Sequence, residues 1–296
     1  MRTRDVMDLL LLGAIWGGAF VLLRIASPVF GAAALTGVRI AIACVVLMLF
    51  LRDGRVLRER AAPLLVLGIV NTAVPFALFA YATLGITSGL AALLNATTPM
   101  FGALIASAWL GEHLSRRRVL GIVIAFAGVA WLVRDAIGSL GMGVVPGVVA
   151  ALAAAACYGF GACFTRRYLH AVDPQVVATG SVLGALLAIA PFAVVTWPDA
   201  PITSGAWLAA AALGVLCTAV AYLFYYRLLR RVGAGRAVTV AFLFPPFGVF
   251  WGAVVLQEPV TAGLIAGCAV VLAGTALAVG LGAVSTTPAD RKPLNL

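Results

Sequence analysis

The chain is poor in charge, almost free of lysine, and short of groups with which an enzyme works. Only 10% of its 296 residues are charged and 64% are apolar, whereas a soluble domain is about 25% charged. Too little polar surface remains to coat a water-soluble globule. This excludes a soluble enzyme, a secreted disulfide scaffold and a disordered chain. The two histidines, His113 and His170, lie in basic loops, and no His, Cys or carboxylate cluster has the spacing of a metal site. Cys44, Cys157, Cys163, Cys217 and Cys268 all sit in apolar stretches without a C-x-x-C pair, and read as small buried hydrophobes. No G-x-x-x-x-G-K-[ST] sequence is present, so nothing supports ATP coupling through this chain. The formal charge of +10 comes in short arginine runs between apolar stretches rather than on one folded face, which argues against a nucleic-acid partner.

Abundant instead are apolar stretches of bilayer length, about 20 residues for a hydrocarbon core about 30 Å thick. Ten are read, at roughly 6–25, 31–51, 63–83, 87–110, 116–133, 143–165, 174–196, 205–226, 234–256 and 261–282. In lipid each must satisfy its backbone internally, so each is expected to be helical. The alternation of a barrel strand is absent. The first stretch follows Met1-Arg-Thr-Arg and superficially suggests a signal peptide. With nine spans after it and no convincing cleavage site, it reads as a retained membrane helix.

The arginines orient the spans. With the N-terminus inside, the inner segments hold Arg2, Arg4, Arg52, Arg55, Arg58, Arg60, Arg116, Arg117, Arg118, Arg166, Arg167, Arg227, Arg230, Arg231, Arg236, Arg291 and Lys292, and the outer side holds Arg24 and Arg134. By the positive-inside rule, both termini are expected to be cytoplasmic.

The two halves match in one register, 146 residues apart. Thr72-Ala73-Val74 meets Thr218-Ala219-Val220; Pro99, Phe101 and Gly102 meet Pro245, Phe247 and Gly248; Glu112 meets Glu258; Gly121 and Gly128 meet Gly267 and Gly274. Nearer the N-terminus a four-residue shift matches Trp16-Gly17 with Tyr158-Gly159. Five spans per repeat make the second copy cross the membrane in the opposite sense, as in many secondary transporters. The expected fold is all-α: ten transmembrane helices in two five-helix inverted repeats, at 1–136 and 137–283, with a cytoplasmic tail at 284–296.

Trp16-Gly17, Phe20, Arg39, the run Ala91-Ala92-Leu93-Leu94-Asn95-Ala96-Thr97-Thr98-Pro99, Leu110-Gly111-Glu112 and, in the second copy, Leu256-Gln257-Glu258 together resemble the EamA branch of the drug/metabolite transporter superfamily. The resemblance spans about residues 6–282. It implies transport of a small metabolite, mostly export, and leaves the cargo open. Gln257 departs from the first copy's Gly111.

Six residues are candidates for substrate binding: Trp16, Arg39, Asn71, Asn95, Tyr158 and Tyr222. Arg39 is the only ionisable residue deep in a span, where a charge costs at least ~2.5–3.5 kcal/mol. It is either an anion site for a substrate carboxylate or a structural arginine satisfied by carbonyls and hydroxyls. Pro75 and Pro99 free the carbonyls of Asn71 and Asn95, and Pro245 and Pro246 those of Ala241 and Phe242, because proline has no N–H. These polar clusters either line a wet cavity or are repaired by nearby threonine hydroxyls. Trp16 and Tyr158 lie midway along their spans, which favours cavity walls over interfacial anchoring. Tyr225 and Tyr226, beside a basic run, read as anchors. Glu112 and Glu258, at span ends, read as carboxylates stabilised by helix N-termini.

The leading expectation is a secondary active or facilitative transporter, not an enzyme, exporting a small metabolite by alternating access, an amino acid being the best single guess. A cationic drug exporter, a lipid scramblase and a membrane enzyme are the alternatives. The expected partners are a small-molecule substrate and membrane lipid, without a cofactor, in a monomer or homodimer. The expected location is the cytoplasmic membrane of a bacterium.

Overall fold

The computed structural model describes residues 3–51, 54–233 and 238–279. The expected tail at 284–296 lies outside them, as do Arg2, Arg52, Arg236, Arg291 and Lys292. The described elements are all helical. In chain order they are α1 (Thr3–Phe30), α2 (Ala32–Leu49), α3 (Arg55–Glu59), α4 (Ala61–Gly68), α5 (Val74–Gly85), α6 (Ser88–Asn95), α7 (Thr98–Leu110), α8 (Arg116–Leu140) and α9 (Val145–Tyr168). There follow α10 (Pro174–Val195), α11 (Ser204–Gly214), α12 (Ala221–Val232), α13 (Phe244–Leu256) and α14 (Ala262–Ala278). Nine stretches are long and apolar enough to cross a membrane, and α14 is a shorter apolar helix. Together they make the ten spans of a multi-pass membrane protein.

The main packing pairs between the halves have counterparts, span for span, under the repeat. Helix α1 packs on α13 and on α11, as α9 packs on α7 and on α5, while α8 lies along α14. Small residues permit these approaches where no hydrophobic driving force exists. A Cβ added at Gly274 would sit 2.7 Å from the carbonyl oxygen of Gly121, so the sequence-matched glycines pack against each other. At the end of α1 remote from Arg24, Arg231 of α12 pairs with Asp5 and Asp8.

Several spans are not plain α-helices, and the ninth opens with a 3-10 segment at Val238–Phe242 ahead of α13. Between α4 and α5, residues Ile69–Ala73 form a π-turn, and between α11 and α12, Val215–Val220 do the same. The two turns occupy the same place in the repeat. Ala221 stands where the first copy has Pro75, so proline is not what widens the turn. The fourth span breaks between α6 and α7, at Ala96-Thr97, just before Pro99.

Helix α7 stops at Gly111 (φ +70°) and α13 at Gln257 (φ +56°). Both copies therefore use a left-handed C-cap, which glycine adopts freely and glutamine does not. The next helices start on Ser115 and Thr261, whose hydroxyls accept from Arg118 N and Leu264 N. Ser115 and Thr261 thus cap these helices, while Glu258 rests on another helix N-terminus, accepting from Ser88 N at the start of α6.

Candidate functional site

Both repeats contribute to a central cavity of about 400 Å³, within the range of small-molecule sites. Trp16, Arg39, Asn95, Tyr158 and Tyr222 all line it, so five of the six residues singled out in the sequence face one space. Asn71 is not among the lining residues. Its side chain lies against α9 at Gly161, where the missing Cβ leaves room. Tyr225 also lines the cavity and packs on the Trp16 ring at 5.4 Å between centroids, so it is not the interfacial anchor expected of it.

Arg39 projects from α2 and is 6% exposed. Its Nε donates to Thr218 Oγ1 at 3.0 Å, and its guanidinium carbon lies 3.7 Å above the centre of the Phe76 ring. Thr218 in turn donates to the Leu213 carbonyl at 2.8 Å, five residues back, a reach suited to the widened π-turn. Among the described residues, no carboxylate is within ion-pair distance of Arg39, and no acidic side chain lines the cavity. Nε is the only guanidinium nitrogen with a described protein partner. The repeat partner of Thr218 is Thr72. Its hydroxyl is buried beside Tyr222 without a hydrogen bond of ordinary geometry, and Ala185 stands where a second Arg39 would be.

Aromatic rings wall the remainder. Trp16 anchors by donating from Nε1 to the Cys217 carbonyl at 3.0 Å and meets Phe244 edge-on at 5.4 Å. Tyr158 stacks near Phe79 at 6.1 Å. The broken fourth span brings Asn95, Thr98 and Pro99 to the wall. Thr98 opens α7, and its repeat partner Phe244, also in the wall, opens α13. Two half-helices thus direct their positive ends at the cavity. Access is uneven: Phe20 is buried, while its repeat partner Ala162 is exposed.

Phe76, Cys217 and Phe244 also line the cavity, and nothing in the sequence marks them out for it. Thr218 carried a signal, being part of the repeated Thr-Ala-Val.

The sequence profile of the EamA-like transporter family matches residues 6–134 and 145–280. A probable amino-acid metabolite efflux pump of Escherichia coli (strain K12) is 25% identical over 289 residues, covering 93% of this chain and 94% of that protein. A probable terminal-alkyne amino-acid exporter of Streptantibioticus cattleyicolor is 27% identical over 283 residues, covering 93% of each chain. A solved crystal structure superposes with a TM-score of 0.67 at 21% identity, over 94% of this chain and 97% of its own, a likeness of fold.

Proposed function

The chain belongs to the EamA-like transporter family, and on that premise we propose that it exports a small amphipathic metabolite bearing a carboxylate, an amino acid in the first instance, by alternating access to the central cavity. The observation that carries this reading is Arg39: a buried guanidinium in the cavity wall, held by one hydroxyl and one ring, with no acidic partner described. A lone cation at this depth is costly, and a bound carboxylate offsets the cost. The half-helix ends of α7 and α13 favour the same sign of charge. The aromatic wall of Trp16, Phe79, Tyr158 and Phe244 suits an apolar side chain. The substrate's ammonium would meet the Asn95 amide oxygen and ring faces.

Export and an amino-acid cargo draw further support from the names of the two relatives. A cationic drug exporter is disfavoured because the described wall holds a cation and no carboxylate. The arginine-rich ends of the helices support cytoplasmic termini and insertion in a bacterial cytoplasmic membrane.

The test is counterflow of labelled amino acids in proteoliposomes, comparing the wild-type protein with Arg39→Gln. The variant is expected to lose at least about tenfold in rate, the scale of one charge-assisted hydrogen bond, while keeping a monodisperse elution profile. An unchanged rate in the folded variant would remove Arg39 from the site.

A further inference from the structure

Ion pairs join the repeats at both ends of the cavity: besides the contacts of Arg231 with Asp5 and Asp8, two pairs stand in matching places in the two copies. Arg24 of α1 meets Glu258, which follows α13, with Nε and Oε1 3.0 Å apart. Arg166 of α9 meets Glu112, which follows α7. The pairs are repeat equivalents: Glu112 and Glu258 match in the main register, and Arg24 and Arg166 in the shifted register of Trp16 and Tyr158. Each sits at the end of a close helical seam. A Cβ at Gly17 would lie 2.9 Å from Gly248 N in the α1–α13 seam, and one at Gly159 2.6 Å from Gly102 N in the α9–α7 seam.

The pairs face opposite sides of the membrane. Arg24 donates to the Thr83 carbonyl at 3.1 Å, and Gly147, near the start of α9, abuts the Ala82 carbonyl. Arg24 therefore lies level with the start of α9. Arg166 is nineteen residues further along that helix, about 28 Å away at 1.5 Å per residue.

The two are unequal in strength. Glu258 also accepts from Ser88 N at 3.0 Å and Ser88 Oγ at 2.6 Å, and Arg24 donates to the Ile86 carbonyl at 2.7 Å. The side chains of Arg24 and Glu258 are 35% and 10% exposed, against 54% and 38% for Arg166 and Glu112. The repeat partner of Ser88 is Ala234, which has no hydroxyl to offer. An exposed pair adds little, whereas a buried, multiply bonded carboxylate is costly to release.

We propose that Arg24–Glu258 and Arg166–Glu112 are the two gates of the transport cycle, one per membrane face, and that the buried, multiply bonded Arg24–Glu258 gate holds the Arg24 face shut at rest. The assignment rests on alternating access to the central cavity. Opening the Arg24 face separates α13 from α1 and frees Glu258 from Ser88. Opening the other face parts the exposed Arg166–Glu112 pair together with the contacts of Arg231 with Asp5 and Asp8 at that end of α1. The buried Phe20 and exposed Ala162 agree with closure on the Arg24 side.

The test reads access directly and needs no substrate. A single reporter, Ala162→Cys, is placed in a protein whose five native cysteines are replaced, and its reaction with a membrane-impermeant thiol reagent is timed from each face in vesicles of both orientations. The reporter is expected to react at least about tenfold faster from the Arg166 face, the effect of one buried charge-assisted hydrogen bond. Glu258→Gln and Arg24→Gln are each expected to raise the rate from the Arg24 face by about tenfold or more. Glu112→Gln is expected to shift the rates by under about fivefold. The double swap of Arg24→Glu with Glu258→Arg is expected to restore closure, which separates gating from misfolding. Arg55→Gln breaks an exposed pair within one repeat and should move neither rate by more than about twofold. Equal effects of Arg55→Gln and Glu258→Gln, or an unchanged Arg24-face rate in a folded Glu258→Gln, would overturn the assignment. Counterflow in the same vesicles keeps the readings apart: gated access without solute exchange would leave the gates standing and defeat the transport reading.

Discussion

Arg39 and the two threonines of the π-turns show how one side chain breaks the symmetry of a duplicated fold. Thr218 spends both of its hydrogen-bonding capacities, donating to Leu213 and accepting from Arg39. Thr72, at the same place in the other copy, is buried without a hydrogen bond of ordinary geometry. Removing one member of a satisfied buried pair costs about 1–3 kcal/mol, whereas replacing an unsatisfied hydroxyl by a methyl is near neutral or stabilising. Thr218→Val should therefore lower the melting temperature in detergent and slow transport, while Thr72→Val should leave the melting temperature unchanged or raised. A larger loss from Thr72→Val than from Thr218→Val would contradict this. Arg39, Trp16, Asn95 and Tyr158 were legible in the sequence because a charge, an amide or a mid-span aromatic stands out in an apolar run. Phe76 and Phe244 were not. In lipid both faces of a helix are apolar, so a phenylalanine carries no sign of which way it points. Asn71 shows the other limit: a polar side chain at membrane depth must face protein, but the sequence does not say which neighbour, and here it is α9.

Among the elements, the irregular ones shape the cavity. The π-turns place Thr218 and Cys217 toward Arg39 and Trp16, and the break before α7 turns a helix end to the wall. The break was readable from Pro99. The π-turns were not, since the second copy forms one without a proline. Strain is visible at one described side chain. Gln257 holds φ +56° where its counterpart is glycine, and is the only non-glycine residue with positive φ among those described. A left-handed side-chain residue costs about 1–2 kcal/mol, offset here by a 3.2 Å bond from Nε2 to the Val254 carbonyl. Gln257→Gly should raise the melting temperature by the balance of these terms. A fall in melting temperature would mean that the side-chain bond outweighs the backbone strain.

At the scale of the whole molecule, two similar halves of opposite sense enclose one cavity whose electrostatics belong to one half. The helices, their number and the repeat were legible because lipid imposes span length and the register repeats Pro, Glu and Gly. The pairing of the halves was not, because seams such as Gly17 on Gly248 look like any small residues in sequence. On the proposed reading, the asymmetry at Arg39 gives a carboxylate-bearing cargo one preferred end, with its anionic group toward α2 and its apolar part among the rings. The most direct measurement of that claim uses proteoliposomes preloaded with amino acids, nucleosides, sugars and organic cations, with isotope-labelled copies outside and mass spectrometry to read which solutes exchange. Saturable exchange confined to zwitterionic or anionic carboxylates is the expected result. Exchange of cations alone, or no exchange by folded protein, would contradict it.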